Sequence, residues 1–221
     1  MNCNNESTEQ DLNVHQGASS GSNLYAYIDH ARVWGVNIEP PESAKLAFKP
    51  WDQRHSMDQW IESGVDDQMI VNVPFTCPVR IESILLYAGR GDLSVRRCAA
   101  FVNLPNGIDF DDALSVLDGR LGPPSSGRAQ ADFALLEGAT QVIAYPVSVS
   151  RFAHTNSVSL LLCDSLSRNI SRMYYIGFVG KALDPRTDSI RQSHVPAEAS
   201  ATHKVDGVGS SHGVSATPRV Q

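Results

Sequence analysis

In residues 68–87, QMIVNVPFTCPVRIESILLY, apolar side chains return at every second position. Met69, Val71, Val73 and Phe75 fall on one side of the first half, and Val79, Ile81, Leu85 and Tyr87 on one side of the second. A period of two is the signature of extended backbone with one face committed to a core. Pro74 and Pro78 flank Thr76-Cys77, and proline withholds the amide a ladder needs. The stretch therefore predicts two strands joined by a bend or edge crossing rather than a tight hairpin. Such a unit folds only against further sheet.

Further sheet is available. LSVRRCAAFVN (93–103), TQVIAYPV (140–147), VSVSRFAH (147–154), SVSLLLCD (157–164) and MYYIGFVG (173–180) all read as strands, and GRGD (89–92) reads as a turn. Helix signals are few. A helical turn is expected near Asp29–Val33, running into an extended piece. A short helix is expected after LPNGIDF, with Asp109 as its cap and Asp111 and Asp112 in its first turn, where the dipole favours acids. About eight short strands without repeated crossover helices predict an all-β fold, a β-sandwich or jelly roll.

The flanks differ from this middle. Residues 1–22 and 182–221 are rich in Ser, Asn, Gly, Gln and His and short of apolar residues, so both are expected to be disordered tails around one domain at 23–181. The net charge is −6, with three acids and no Lys or Arg in 1–22. That balance argues against nucleic-acid or anionic-membrane binding. No apolar run approaches the roughly 18–20 residues of a membrane span, and MNCNNESTEQ has neither part of a secretory signal. Cys3, Cys77, Cys98 and Cys163 are scattered without metal spacing, as expected of reduced, mostly buried thiols in a cytoplasmic or nuclear protein.

Catalytic motifs fail on context. The two G-x-S-x-G matches (17–21 and 209–213) lie in the tails, whereas a nucleophile elbow needs a buried strand–turn–helix. The acids at 66–67 and 109–112 lack a calcium-loop pattern, and His30, His55 and His154 are isolated from one another. No catalytic residue, metal or cofactor is expected. What survives is 49–67, KPWDQRHSMDQWIESGVDD, with aromatic, basic and acidic residues just ahead of the long strand. Lys49 or Arg54 can stack on Trp51, and Asp52 can pair with Arg54 or cap a turn. Trp, Tyr and Arg dominate binding hot spots. The expectation is a loop capping one end of the sandwich. Trp51, Trp60 and Ile61 are at least partly committed to the core, while Lys49, Arg54, Asp66 and Asp67 form a rim for protein docking.

Taken in order, LYAYIDHARVWGVN, KPWDQR, WIESGVDDQMIVNVPFTCPVRIESILL, FVNLPNGIDFDDA, RFAHTNSVSLLL and YYIGFVG resemble the successive signatures of the PITH domain. This is the proteasome-interacting domain found at the C-terminus of thioredoxin-like proteins and also free-standing. The resemblance runs from about Leu24 to Lys181. It implies a galactose-binding-like jelly roll, no enzymatic activity, and association with the regulatory particle of the proteasome. The chain has no W-C-G-P-C redox motif, so it resembles the stand-alone members. Gly64 stands where the family usually has an acid, and the loop at 118–131 looks lengthened. The competing reading of such a sandwich is a small-ligand or glycan binder, which would need a deep pocket beneath Trp51 and Trp60.

Overall fold

A computed structural model describes residues 21–118 and 129–183. The strands in chain order are β1 (Ser22–Asn23), β2 (Trp34–Val36), β3 (Ile61–Glu62), β4 (Met69–Tyr87), β5 (Arg97–Val102), β6 (Ala131–Ala134), β7 (Ile143–Pro146), β8 (Thr155–Cys163), β9 (Arg172–Met173) and β10 (Tyr175–Ala182). One α-helix, α1 (Phe110–Asp118), and three short 3-10 turns complete the described chain. The Asp112 amide bonds Asp109 Oδ1 at 2.8 Å, the cap expected for α1. The fold reaches one residue beyond the expected 23–181 at each end, since Ser22 pairs with Gly180 and Ala182 with Val79. Apart from Gly21 and Leu183, the rest of both tails, with Cys3 and all but Gly21 of the G-x-S-x-G matches, lies outside the described residues, as does 119–128 of the 118–131 loop.

The architecture is organised by β4. Its first half lies between β2 and β8, and β5 and β6 extend that layer outward from β8. Its second half lies between β10 and β7, with β1 beyond β10. All these pairings are antiparallel. Two layers joined through one strand enclose a single core of Met69, Val71, Val73, Ile81, Ile84, Leu160 and Phe178, among others. This is the all-β sandwich expected, with β4 passing from one layer to the other.

Three expectations about strands need correction. The stretch 69–87 is one strand of 19 residues, not two. The prolines interrupt its pairing without ending it: contact with β8 lapses between Pro74 and Val79 and then resumes at Thr155. The second correction concerns faces. Pairing with β10 steps from Ser83↔Val179 to Ile81↔Gly180, so Glu82 is an extra residue on β4. A bulge of this kind reverses the alternation. Val79 and Ile81 therefore share the core with Ile84 and Leu86, while Leu85 and Tyr87 sit on the outer face. Third, 147–154 is a turn, closed by the Arg151 amide on Ser148 O at 2.9 Å, and β6 follows the 118–131 loop unheralded.

Both outer faces are partly covered. Phe110, Ala113 and Leu114 of α1 lie against Ile70, Ala99, Phe101 and Leu161 of the first layer. On the second layer Leu85, Tyr87, Ala144, Tyr174 and Tyr175 form an aromatic-rich patch. That patch is the bed of the 49–60 loop.

Candidate functional site

The loop begins where a 3-10 helix, Pro41–Ala47, delivers Phe48 into the core. Lys49 follows, and it is 4% exposed. Its Nζ donates to Ser56 O at 2.8 Å and Gln59 O at 2.6 Å. These carbonyls belong to a loop without strand partners, so the ammonium supplies hydrogen bonds that the backbone otherwise lacks. Burial, partly offset by the charge of Asp58, holds the Lys49 pKa below its ordinary value. Lys49 is thus a clip at the base of the excursion 50–60, not a rim residue.

Trp51, expected to be at least partly committed to the core, is half-covered at 45% exposure, and it packs on its own loop. Phe48 and Ile61, both buried, already fill the apolar sites at the two feet of the loop. The turn Trp51–Gln53 spans only three residues and has no buried member. Arg54 lies 4.0 Å from the Trp51 ring centre and donates Nη1 to Trp51 O at 2.7 Å. Arg54 is therefore occupied by Trp51, not by Asp52, which sits exposed on the turn and makes no side-chain cap.

Trp60 makes a second stack. It is 37% exposed, meets Tyr174 edge-on at 6.3 Å, and lies 4.6 Å from the Arg172 guanidinium. Arg172 is held in place by Glu62 through both Nε, at 2.7 Å, and Nη2. Between the stacks, Tyr87 Oη donates to Met57 Sδ at 3.7 Å, and His55 packs edge-on to Tyr87 at 6.2 Å. Burial first, and the charge of Arg54 second, keep the His55 pKa below its ordinary value. The result is an exposed ridge of Trp51–Arg54, Met57 and Trp60–Arg172. Tyr87, Arg172 and Tyr174 carry no local sign of this role because β3–β9 pairing and the sheet bring them in from remote positions, whereas Met57 lies within the loop itself.

Asp66 and Asp67 serve elsewhere. Asp66 Oδ1 accepts from Asn37 Nδ2 at 2.8 Å and the Gln68 amide at 3.0 Å. Asp67 Oδ2 accepts from the Ser165 amide at 2.8 Å. Both carboxylates fasten loops, and Asp67 is half-buried. His30 bonds Tyr25 O at 3.3 Å. Among the described residues no three of His, Cys, Asp and Glu gather as a metal site, and no helix is long and apolar enough to cross a membrane. Two concavities stand out, one lined by Trp34 and Asn72 and the other by Ser94 and Arg96, and neither involves Trp51 or Trp60.

Cys98 and Cys163 are buried in β5 and β8, and Cys77 is partly buried. Burial pushes the Cys98 thiol well up and raises that of Cys163 to about 12. Only the thiolate reacts, so iodoacetamide labelling of these two at pH 8 should be on the order of 100-fold slower in the folded protein than in denaturant. Mass spectrometry of timed quenches checks this, and equal rates would contradict the burial.

Relatives share most of this chain. PITH domain-containing protein 1 of Danio rerio is 26% identical over 186 residues, spanning 84% of this chain and 82% of its own. A PITH domain-containing protein of Drosophila melanogaster is 27% identical over 211 residues, spanning 94% and 93%. A solved carbohydrate-binding module of Clostridium perfringens NanJ, in complex with galactose, has a TM-score of 0.48 at 8% identity, covering 72% of this chain and 98% of that one. That likeness concerns general shape, and no ligand is carried over from it. The PITH domain model itself matches residues 14–197, which take in every described strand, and the chain belongs to the PITH domain family.

Proposed function

We propose that the protein is a non-enzymatic interaction module that docks, through the ridge over the second layer, onto the regulatory particle of the proteasome in the cytoplasm or nucleus. The single observation that supports a docking ridge is the pair of exposed Trp–Arg stacks, Trp51–Arg54 at 4.0 Å and Trp60–Arg172 at 4.6 Å. Aromatic and arginine side chains pre-set on a clipped loop lose little further freedom on binding, which suits them as anchors. The choice of partner rests on the family resemblance alone.

The test is a pull-down from cell lysate with the natural chain and with Trp51→Ala plus Trp60→Ala, scored by mass spectrometry for regulatory-particle subunits. Recovery should fall at least about tenfold in the double variant, as for hot-spot residues. Trp51→Ala alone should shift the melting temperature by no more than a degree or two, since its ring is only half-covered. If the natural chain recovers no such subunit, the partner is wrong. If the double variant recovers them undiminished, the ridge is wrong.

A further inference from the structure

The cleft under Trp34 is independent of the ridge. Trp34, Asn72 and Ser159 are register neighbours across β2, β4 and β8, so their side chains form a row on the outer face of the first layer. The Leu104–Gly107 turn overhangs this row, closed by the Gly107 amide on Leu104 O at 3.1 Å. Gly107 has φ +74, and a Cβ there would lie 2.5 Å from Asn72 Oδ1 and 3.0 Å from Trp34 Cζ2. Only glycine permits so close an approach. The space left is a cleft of about 280 Å³ to which Arg32, Pro105 and Asn156 also contribute.

Its polar groups are unbalanced. Asn72 is 5% exposed; its Oδ1 accepts from Ser159 Oγ at 2.5 Å, but its Nδ2 has no partner. A buried donor left unmatched is costly and uncommon. Arg32 engages Asp29 through Nε at 2.7 Å, which leaves both Nη groups for other acceptors. The lining carbonyls of Pro74, Leu104 and Ser157 already receive the amides of Asp29, Gly107 and Asn103. No Asp or Glu lines the cleft. It therefore offers spare donors, one cation and apolar surface from Trp34, Leu104 and Pro105, with few spare acceptors.

We propose that this cleft binds a carboxylate carried on a compact apolar body, either a free small acid or the C-terminal carboxylate of another chain. The carboxylate accepts from Arg32 and Asn72, and the apolar body lies against Trp34 and the Leu104–Pro105 turn. The volume, near the low end of the roughly 300–1,000 Å³ usual for ligand pockets, suits about one ring or one terminal residue. Asn72 Nδ2 is itself covered, so one of the groups around it, Trp34 or the Leu104–Gly107 turn, shifts as the ligand enters.

The test titrates phenylacetate, phenylacetamide, and the tripeptide Gly-Gly-Phe with a free or amidated C-terminus into the ¹⁵N-labelled full chain. The readout is the Trp34 indole and Asn72 side-chain amide resonances. Saturable shifts are expected for the acids, with at least about tenfold weaker binding of the neutral amides, as loss of a charge-assisted hydrogen bond implies. Arg32→Gln should weaken the acids by a similar factor, and Trp34→Ala should remove the saturable shift at the Asn72 side-chain amide. Both replacements are at exposed positions and leave the core intact. Response to phenylacetate alone marks a free acid as the source, and response to the peptide acid alone marks a chain terminus. The proposal fails if neither acid gives a saturable shift at these two groups. It fails equally if the amides bind as well as the acids, or if Arg32→Gln changes nothing.

Discussion

Gly180→Ala should lower the stability of the domain by about 3–5 kcal/mol, the range reserved for changes the backbone cannot absorb. A Cβ on Gly180 would fall 1.9 Å from Arg80 O, 2.9 Å from Arg80 C and 3.0 Å from Ile81 Cα. All three are main-chain atoms of β4, held by pairing on both sides of the bulge. Gly21 crowds the same residue, since its own Cβ would sit 2.8 Å from Gly180 Cα. No side-chain rotation relieves such a clash; strands β10 and β4 would have to part. Gly138→Ala is the matched control, because its φ of +68 is strained for alanine but nothing lies within 4 Å. It should cost only about 1–2 kcal/mol. Urea unfolding of the three proteins decides the matter. A Gly180→Ala loss no larger than that of Gly138→Ala would mean the bulge is not the rigid seam inferred here.

That seam also shows why the strand pattern was only half readable. The alternation of Met69, Val71 and Val73 reports a real face because their partners on β8 run in unbroken register, and Phe75 continues it opposite Ile28. Past Ile81 the reading fails, because the bulge at Glu82 depends on how β10 pairs, a long-range event invisible in the local run. Ser83, buried beside Ile84, carries no mark of the change. β6 fails for another reason: only one of its sides meets the core, so ADFA has little apolar signal. The α1 cap succeeded because an Asx–amide bond three residues on is local chemistry.

The candidate site divides along the same line. That 49–60 presents Trp and Arg was legible in KPWDQR, since Arg54 reaches Trp51 three residues away. Which residue faced inward was not. Charge is a guide to exposure and aromatic character to burial only where a residue meets solvent or core rather than its own loop. Lys49 meets its own loop, and Trp51 meets Arg54 above a turn too short to own a buried face. Arg172 and Tyr174 joined the ridge only through β9 and its surroundings, more than a hundred residues along the chain from Trp60.

If Lys49 is the clip, Lys49→Met should cost about 2–4 kcal/mol, the scale of two hydrogen bonds from a charged donor reduced by their partial access to water. The methionine keeps the aliphatic bulk, so the loss isolates the contacts with Ser56 O and Gln59 O. Docking should fall with it, since Trp51 and Arg54 ride on the loop that those contacts fix. The pH dependence gives a sharper signature. Burial sets the folded pKa of Lys49 below the 10.5 of the unfolded chain. Between the two values the unfolded chain holds a proton that the folded one has released, so stability must rise with pH in that window. The rise is complete above 10.5 and is lost as pH falls through the folded pKa. The stability difference between the natural chain and Lys49→Met should therefore widen as pH climbs toward 10.5, while the remaining groups titrate alike in both proteins. Urea unfolding from pH 7 to 10.5 measures that difference directly. A flat difference would show that Lys49 carries an ordinary solvent-exposed charge and that the ridge lacks its anchor, whereas a narrowing one would show that the folded chain binds the proton more tightly than the unfolded chain and that burial does not set the Lys49 pKa.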